Sequence, residues 1–193
     1  MTRLFRNYLW PAFALLLALT FVTGVAYPVV VTAIAQVAFP SQANGSMIVV
    51  DGKTIGSSLI GQAFSDPKYF WGRLSAAGKD GYDASGSAGS NLGPTSKALI
   101  DRISADVDTM RAANGGGPVP VDLVTTSASG LDPDISPAAA EFQVARVAAA
   151  RGLSAGDVRA AVARHTQGLI LGFLGEPRVN VLLLNLDLDG LLR

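Results

Sequence analysis

Hydrophobic positions in this 193-residue chain form one long block followed by many short ones. From Asn7 through Val50 there is no Asp, Glu, Lys or Arg, and all thirty charged side chains lie outside that stretch. Within it, Leu9–Val31 (LWPAFALLLALTFVTGVAYPVVV) is long enough to cross a hydrocarbon core of about 30 Å at about 1.5 Å per helical residue. Trp10 and Tyr27 sit near its ends, at headgroup level. Pro11 lies at the entrance, where a missing amide donor costs little. A helix over the whole uncharged stretch would be about 66 Å long, too long for one ordinary span. Residues 32–45 therefore read as an exit helix or linker, along the interface or against a partner subunit. Arg3 and Arg6 precede the span and the next fixed charge is Asp51. The positive-inside rule then places residues 1–8 in the cytoplasm and residues 46–193 outside. Competing readings are a signal peptide cleaved near Gly24-Val25-Ala26 and a buried core helix.

Beyond the span the pattern alternates between short apolar runs and turns. Ser46–Val50 reads as a strand and Asp51-Gly52 as a hairpin turn. Leu59–Phe64 reads as a second strand, and Tyr69, Phe70 and Trp71 as core or interface anchors. Residues 75–95 are glycine-rich with little apolar mass, a loop either flexible or held by its backbone. Leu99, Ile103, Val107 and Met110 then recur at helical spacing, up to the breaker Asn114–Pro118. Val119–Val124 reads as a short strand. Ser136-Pro137 starts a helix that Gly152 stops. Ser154 and Asp157 form a capping box, with Val158, Ala161, Val162 and His165 on one face. Val179–Leu188 reads as a strand in which Asp187 and Asp189 share a face. The domain is predicted as α+β.

Composition narrows the chemistry. Lys+Arg and Asp+Glu are both 15, so no excess basic charge argues for a nucleic-acid surface. Cysteine is absent and His165 is the only histidine, which excludes thiol catalysis and multi-histidine or cysteine metal sites. Gly52-Lys53-Thr54 lacks the upstream glycine of a phosphate loop and reads as a turn. A serine hydrolase would depend on His165 alone, and no G-x-S-x-G elbow occurs. Asp132/Asp134 and Asp187/Asp189 offer oxygen ligands, but capping or solvation explains them more simply.

Several blocks are distinctive: TGVAYPVVVTAIAQVAFPSQANGS (23–46), GSSLIGQAFSDPKYFWGRLSA (56–76), YDASGSAGSNLGPT (82–95), PVDLVTTSASGLDPDISPAAAEFQVARVAAARGLS (120–154) and GEPRVNVLLLNLDLD (175–189). In them the chain resembles the C subunit family of the Kdp high-affinity potassium-transporting ATPases. The resemblance implies a single-span inner-membrane subunit that does not hydrolyse ATP and binds no cofactor of its own. ATP and K⁺ would be handled by the complex. The implied partners are a channel-like potassium-translocating subunit, a P-type ATPase subunit, a small single-span subunit and membrane lipid. It also implies a catalytic-chaperone effect on ATP affinity, which a domain outside could exert only through the membrane parts. The matching segments supply the candidate interface or structural residues Gln62, Tyr69, Arg73, Asn91, Asp132, Arg146, Glu176, Arg178 and Asn180. Two departures stand out: Asp134 replaces a usual histidine, and Leu74 a usual proline. The different-class alternative is a membrane-anchored extracytoplasmic hydrolase or ligand-binding domain.

Overall fold

A computed structural model describes residues 2–192, which divide into two units between Met47 and Ile48. The first unit is built on α1 (Phe5–Ala38), a 34-residue helix whose most apolar window is 0% buried within the chain. Leu16 and Phe21 are each 61% exposed, so this surface is stable only in a lipid solvent. The chain thus has a single-pass membrane topology. Both prolines of α1 follow a wider π-helical turn, Phe5–Leu9 before Pro11 and Val22–Ala26 before Pro28. Proline lacks the amide that would bond the carbonyl four residues back and crowds that carbonyl. Here those carbonyls belong to Asn7 and Gly24, both inside the π turns, which re-route the ladder without breaking the helix. Thr23 Oγ1 adds a bond to the Leu19 carbonyl at 2.7 Å. After Phe39 a single turn, Pro40–Ala43, is fastened back by Asn44 Nδ2, which donates to the Pro40 carbonyl and to Gln36 Oε1.

A hairpin follows, β1 (Met47–Val50) and β2 (Lys53–Ser57). Asp51 and Gly52 turn it with φ of +49° and +76°, the left-handed pair that a two-residue hairpin loop requires. Residues 58–95 then carry little regular structure. The remaining elements are α2 (Lys97–Asn114), β3 (Asp134–Ile135), α3 (Pro137–Arg151), α4 (Ala155–Arg164), β4 (Thr166–Gln167), β5 (Arg178–Asn180) and α5 (Val181–Leu188). The strands β3, β5 and β4 form a small antiparallel sheet in that order. Asp134 lies opposite Asn180, and Thr166 opposite Val179. Phe70, Leu123, Val144, Val147, Val158, Val179 and Leu184 are fully buried in one core. This is the mixed α+β domain that the sequence predicts.

The caps are where the sequence places them. Ser136 Oγ accepts from Ala139 N at 3.0 Å, Ser154 Oγ from Asp157 N at 3.1 Å, and Gly152 ends α3 in the left-handed region. Three expected strands differ. Leu59–Phe64 is irregular, because the Asp51-Gly52 turn already commits Lys53–Ser57 as the partner of β1. Val119–Val124 holds a 3₁₀ turn, Val121–Leu123, since Pro118 and Pro120 remove two ladder donors. Val179–Leu188 is strand only through Asn180, whose Oδ1 caps Leu183 N at 3.1 Å and turns the leucine run into α5. An apolar run without alternation carries no period by which to separate strand from helix.

Gly130 and Gly152 share a φ of +66° but not their surroundings. A Cβ on Gly130 would lie 2.7 Å from both Ala77 N and Ala88 O, whereas Gly152 faces open space. Gly152→Ala should cost only the left-handed strain, about 1–2 kcal/mol. Gly130→Ala should cost clearly more, read by denaturant titration of the full-length protein; equal costs would show that the loop yields freely.

Candidate functional site

Two clusters gather most of the candidate residues, one around a segment that lacks a strand neighbour and one beside the paired strands β3 and β5. The first is the segment Pro67–Trp71, which runs from the exposed Pro67 and Lys68 into the core, where Phe70 is fully buried. A buried backbone must have its polar groups paired. Here side chains do it. Asn185 on α5 accepts from Phe70 N at 2.8 Å and donates to Phe70 O at 2.9 Å. Gln143 on α3 does the same for Trp71, accepting at 2.8 Å and donating at 3.1 Å. Arg146 donates to the carbonyls of Pro67 (2.6 Å) and Tyr69 (2.9 Å), and Arg151 to that of Lys68 (2.7 Å). Asp66 takes the remaining amides, Lys68 N through Oδ1 and Tyr69 N through its carbonyl.

Arg146 is the centre of this clamp. Its guanidinium also bonds Asn114 Oδ1 and Gln143 Oε1 and stacks 3.9 Å from the Trp71 ring centroid. Among the described residues no carboxylate lies within ion-pairing distance of it. Burial pushes it down to about 10, still a cation at neutral pH. Tyr69 closes the other end: its hydroxyl donates to Asp189 Oδ2 at 2.9 Å, and Asp189 Oδ1 receives Arg151 at 2.8 Å.

The second cluster lines a cleft of about 320 Å³ formed by Arg73, Asp122, Asp132, Asp134, Ser136, Glu176 and Arg178, with Ile135 and Pro177. Arg73 pairs with Asp132 at 2.8 Å, and Arg178 with Asp134 at 3.1 Å. Asp132 Oδ1 also accepts from Asp134 N, and Asp122 Oδ2 from Ser136 N at 2.7 Å, so three of the four carboxylates are engaged internally. Tyr82 donates to the Arg73 carbonyl. Its phenol is pushed up to about 12, first by burial and then by the Asp132 charge, against the opposing Arg73. Glu176 has no ion-pair partner within 4 Å among the described residues and is the one cleft carboxylate left to solvent.

The other candidates serve single purposes. Asn180 Nδ2 ties the Ser58 carbonyl (2.8 Å) to Asp134 Oδ1 (3.2 Å), besides capping α5. Gln62 Nε2 donates to the Ile55 carbonyl at 3.1 Å, directly over Gly56. Asn91 stands apart, exposed, at a φ of +52° that asparagine tolerates well. Sequence reasoning missed Gln143, Arg151 and Asn185. The signal for two of them was a lone amide inside an apolar face: Gln143 beside Ala140, Val144 and Val147, and Asn185 among leucines.

The suspected metal and hydrolase groups resolve into ion pairs. Asp187 does not share a strand face with Asp189; it sits on α5, receiving Arg164 at 2.7 Å and His165 Nε2 at 3.0 Å. Among the described residues no serine hydroxyl is hydrogen-bonded to His165, and no group of three His, Asp or Glu is placed to hold a metal. Burial raises Asp187, but the bonds from Arg164 and His165 outweigh it and hold the carboxyl below its ordinary value. Asp134 is shifted the other way: burial lifts it despite Arg178. The signs follow from linkage. Stability from Asp187 is present above the ordinary aspartate range and is lost as pH falls through its lowered folded value. Asp134 favours folding when protonated, and that contribution is lost as pH rises through its raised folded value. In denaturant titrations across the acid range, Asp187→Asn should flatten the loss of stability on acidification. Asp134→Asn should steepen it; the same change from both variants would refute these environments.

The fold and both clusters occur in a sequence with close relatives. A family model described as KdpC, the K⁺-transporting ATPase c chain, matches residues 9–190. A potassium-transporting ATPase KdpC subunit of Sorangium cellulosum is 63% identical over 185 residues, covering 95% of this chain and 97% of that protein. Those of Paraburkholderia phytofirmans (58% over 186 residues; 95% and 97% covered) and Rhodopseudomonas palustris (60% over 191 residues; 93% and 96% covered) are similarly near. With the match running from within the membrane helix to the end of α5, the chain belongs to the KdpC family, the c chains of K⁺-transporting ATPases.

Proposed function

We propose that this protein is a non-catalytic accessory subunit of an ATP-driven, high-affinity potassium-import complex, needed for assembly and for full ATP-coupled transport. The observation that carries this reading is the family match along residues 9–190, which takes in the anchor and the domain together. The clusters support it. Their arginines and amides are spent on internal backbone groups and carboxylates, which suits a rigid docking body rather than a reaction centre. The partners are a channel-like potassium-translocating subunit, a P-type ATPase subunit and a small single-span subunit. ATP is bound and hydrolysed by the pump subunit, and K⁺ passes through the translocating one.

Residues 1–8 face the cytoplasm and the domain lies on the outer side of the inner membrane. Arg3 and Arg6 before α1, against no charge until Asp51 after it, support this orientation. From there the domain caps the external face of the translocating subunit, stabilising it or shaping ion entry. Any effect on ATP affinity then reaches the pump through the membrane-embedded parts.

Mild-detergent purification of tagged full-length protein from native membranes should recover the ATPase and channel-like subunits in stoichiometric amounts. Deleting residues 40–193 while keeping α1 should abolish assembly or high-affinity uptake. Recovery of the protein alone in several gentle detergents would overturn the assignment and favour the anchored hydrolase or binding domain. Full assembly and uptake by the truncated chain would overturn the capping role.

A further inference from the structure

Between β4 and β5 the chain makes an excursion, Gly168–Gly175 (GLILGFLG), that the core does not use. Ile170 and Leu174 form an antiparallel bridge, with N–H to carbonyl bonds of 2.9 and 3.0 Å, and Leu171 and Gly172 turn the tip at φ of +54° and +81°. Gly172 N and Phe173 N also find carbonyls within the loop. Four of the loop's amides are therefore paired locally, but its side chains have no core to bury in: Leu171 is 80% and Phe173 72% exposed, with Leu169, Ile170 and Leu174 exposed beside them. A single exposed leucine is ordinary, whereas five large apolar side chains within eight residues, with no polar side chain among them, form a surface that marks an interaction.

We propose that this hairpin inserts into the interfacial layer of a lipid bilayer, giving the protein a second membrane contact besides α1. Three observations select lipid as the occupant. The chain carries its own membrane-spanning helix, and only residues 39–47 join α1 to the second unit. At about 3.3–3.6 Å per residue that tether reaches no more than roughly 30 Å, so the start of the second unit never leaves the neighbourhood of a bilayer. The tip offers no donor or acceptor side chain for a polar protein surface to recognise. Four of its amides are already paired within the loop, which lowers the cost of moving the tip into a water-poor layer, while the tip carbonyls can keep contact with headgroup water at interfacial depth.

The charges around the hairpin foot set the character of the contact. Arg164 is paired with Asp187 and Arg178 with Asp134, while Glu176 is anionic. Attraction to anionic headgroups is therefore minor, and insertion is driven by apolar burial. It depends little on lipid charge or ionic strength.

The chain contains no cysteine, so Leu171→Cys and, separately, Phe173→Cys each accept one environment-sensitive fluorophore. Asp101→Cys on the exposed face of α2 serves as reference. With the full-length protein in phosphatidylcholine nanodiscs, labels at 171 and 173 should be quenched several-fold more by acyl-chain nitroxides than the label at 101. They should also be shielded from aqueous iodide, equally with and without anionic lipid and at high salt. Iodide access equal to that at 101 would overturn the proposal. Shielding that arises only when co-purified transport subunits are present would overturn it too, assigning the hairpin to a protein partner. Because the test needs only α1 in a bilayer, its failure is distinct from failure of the transport assignment.

Discussion

A backbone segment that enters the core at Phe70 without a neighbouring strand sets the terms for this domain. From Pro67 to Trp71 every amide and carbonyl is paired, and beyond Asp66 the partners are side chains of α3 and α5. Leaving one such group buried and unpaired costs about 1–3 kcal/mol. Gln143, Arg146, Arg151 and Asn185 are therefore as much a part of the fold as the apolar residues around them. They fix α3 and α5 on either side of Phe70. The small sheet is held similarly at the end of its central strand, where Asn180 joins Ser58, Asp134 and the first turn of α5.

Residues that look functional in the sequence are, for the most part, fasteners. Arg73, Asp132, Arg178, Asn180 and Arg146 are all bonded to other groups of the same domain. What remains open is different in kind. Glu176 borders the cleft, Asn91 stands on an exposed loop, and apolar surface dominates α1 and the Gly168–Gly175 hairpin.

Much of this was legible in the sequence. The uncharged block, the Asp51-Gly52 turn, the stripe Leu99–Met110 and the caps at Ser136 and Ser154 are local signals, readable from spacing. The rest is not local. Phe70 and Asn185 are 115 residues apart, Trp71 and Gln143 are 72 apart, and no periodicity announces such pairings. The Leu-rich run after Asn180 misleads for a related reason: buried on all sides, it carries no polar face to betray its period. The aromatic cluster pointed to Tyr69 and the family resemblance proposed both it and Arg146 as candidates, but neither signal gave them partners.

The Pro67–Trp71 segment is locked by side chains as firmly as a central strand is by its neighbours. Amide hydrogen exchange of the full-length protein in nanodiscs tests it directly, at Phe70 N and Trp71 N. Both amides should exchange only through unfolding of the domain, with protection equal to that of the buried turns of α3 and lost together with it under mild denaturant. Exchange at Phe70 and Trp71 that is much faster than in α3 and insensitive to denaturant would contradict the account.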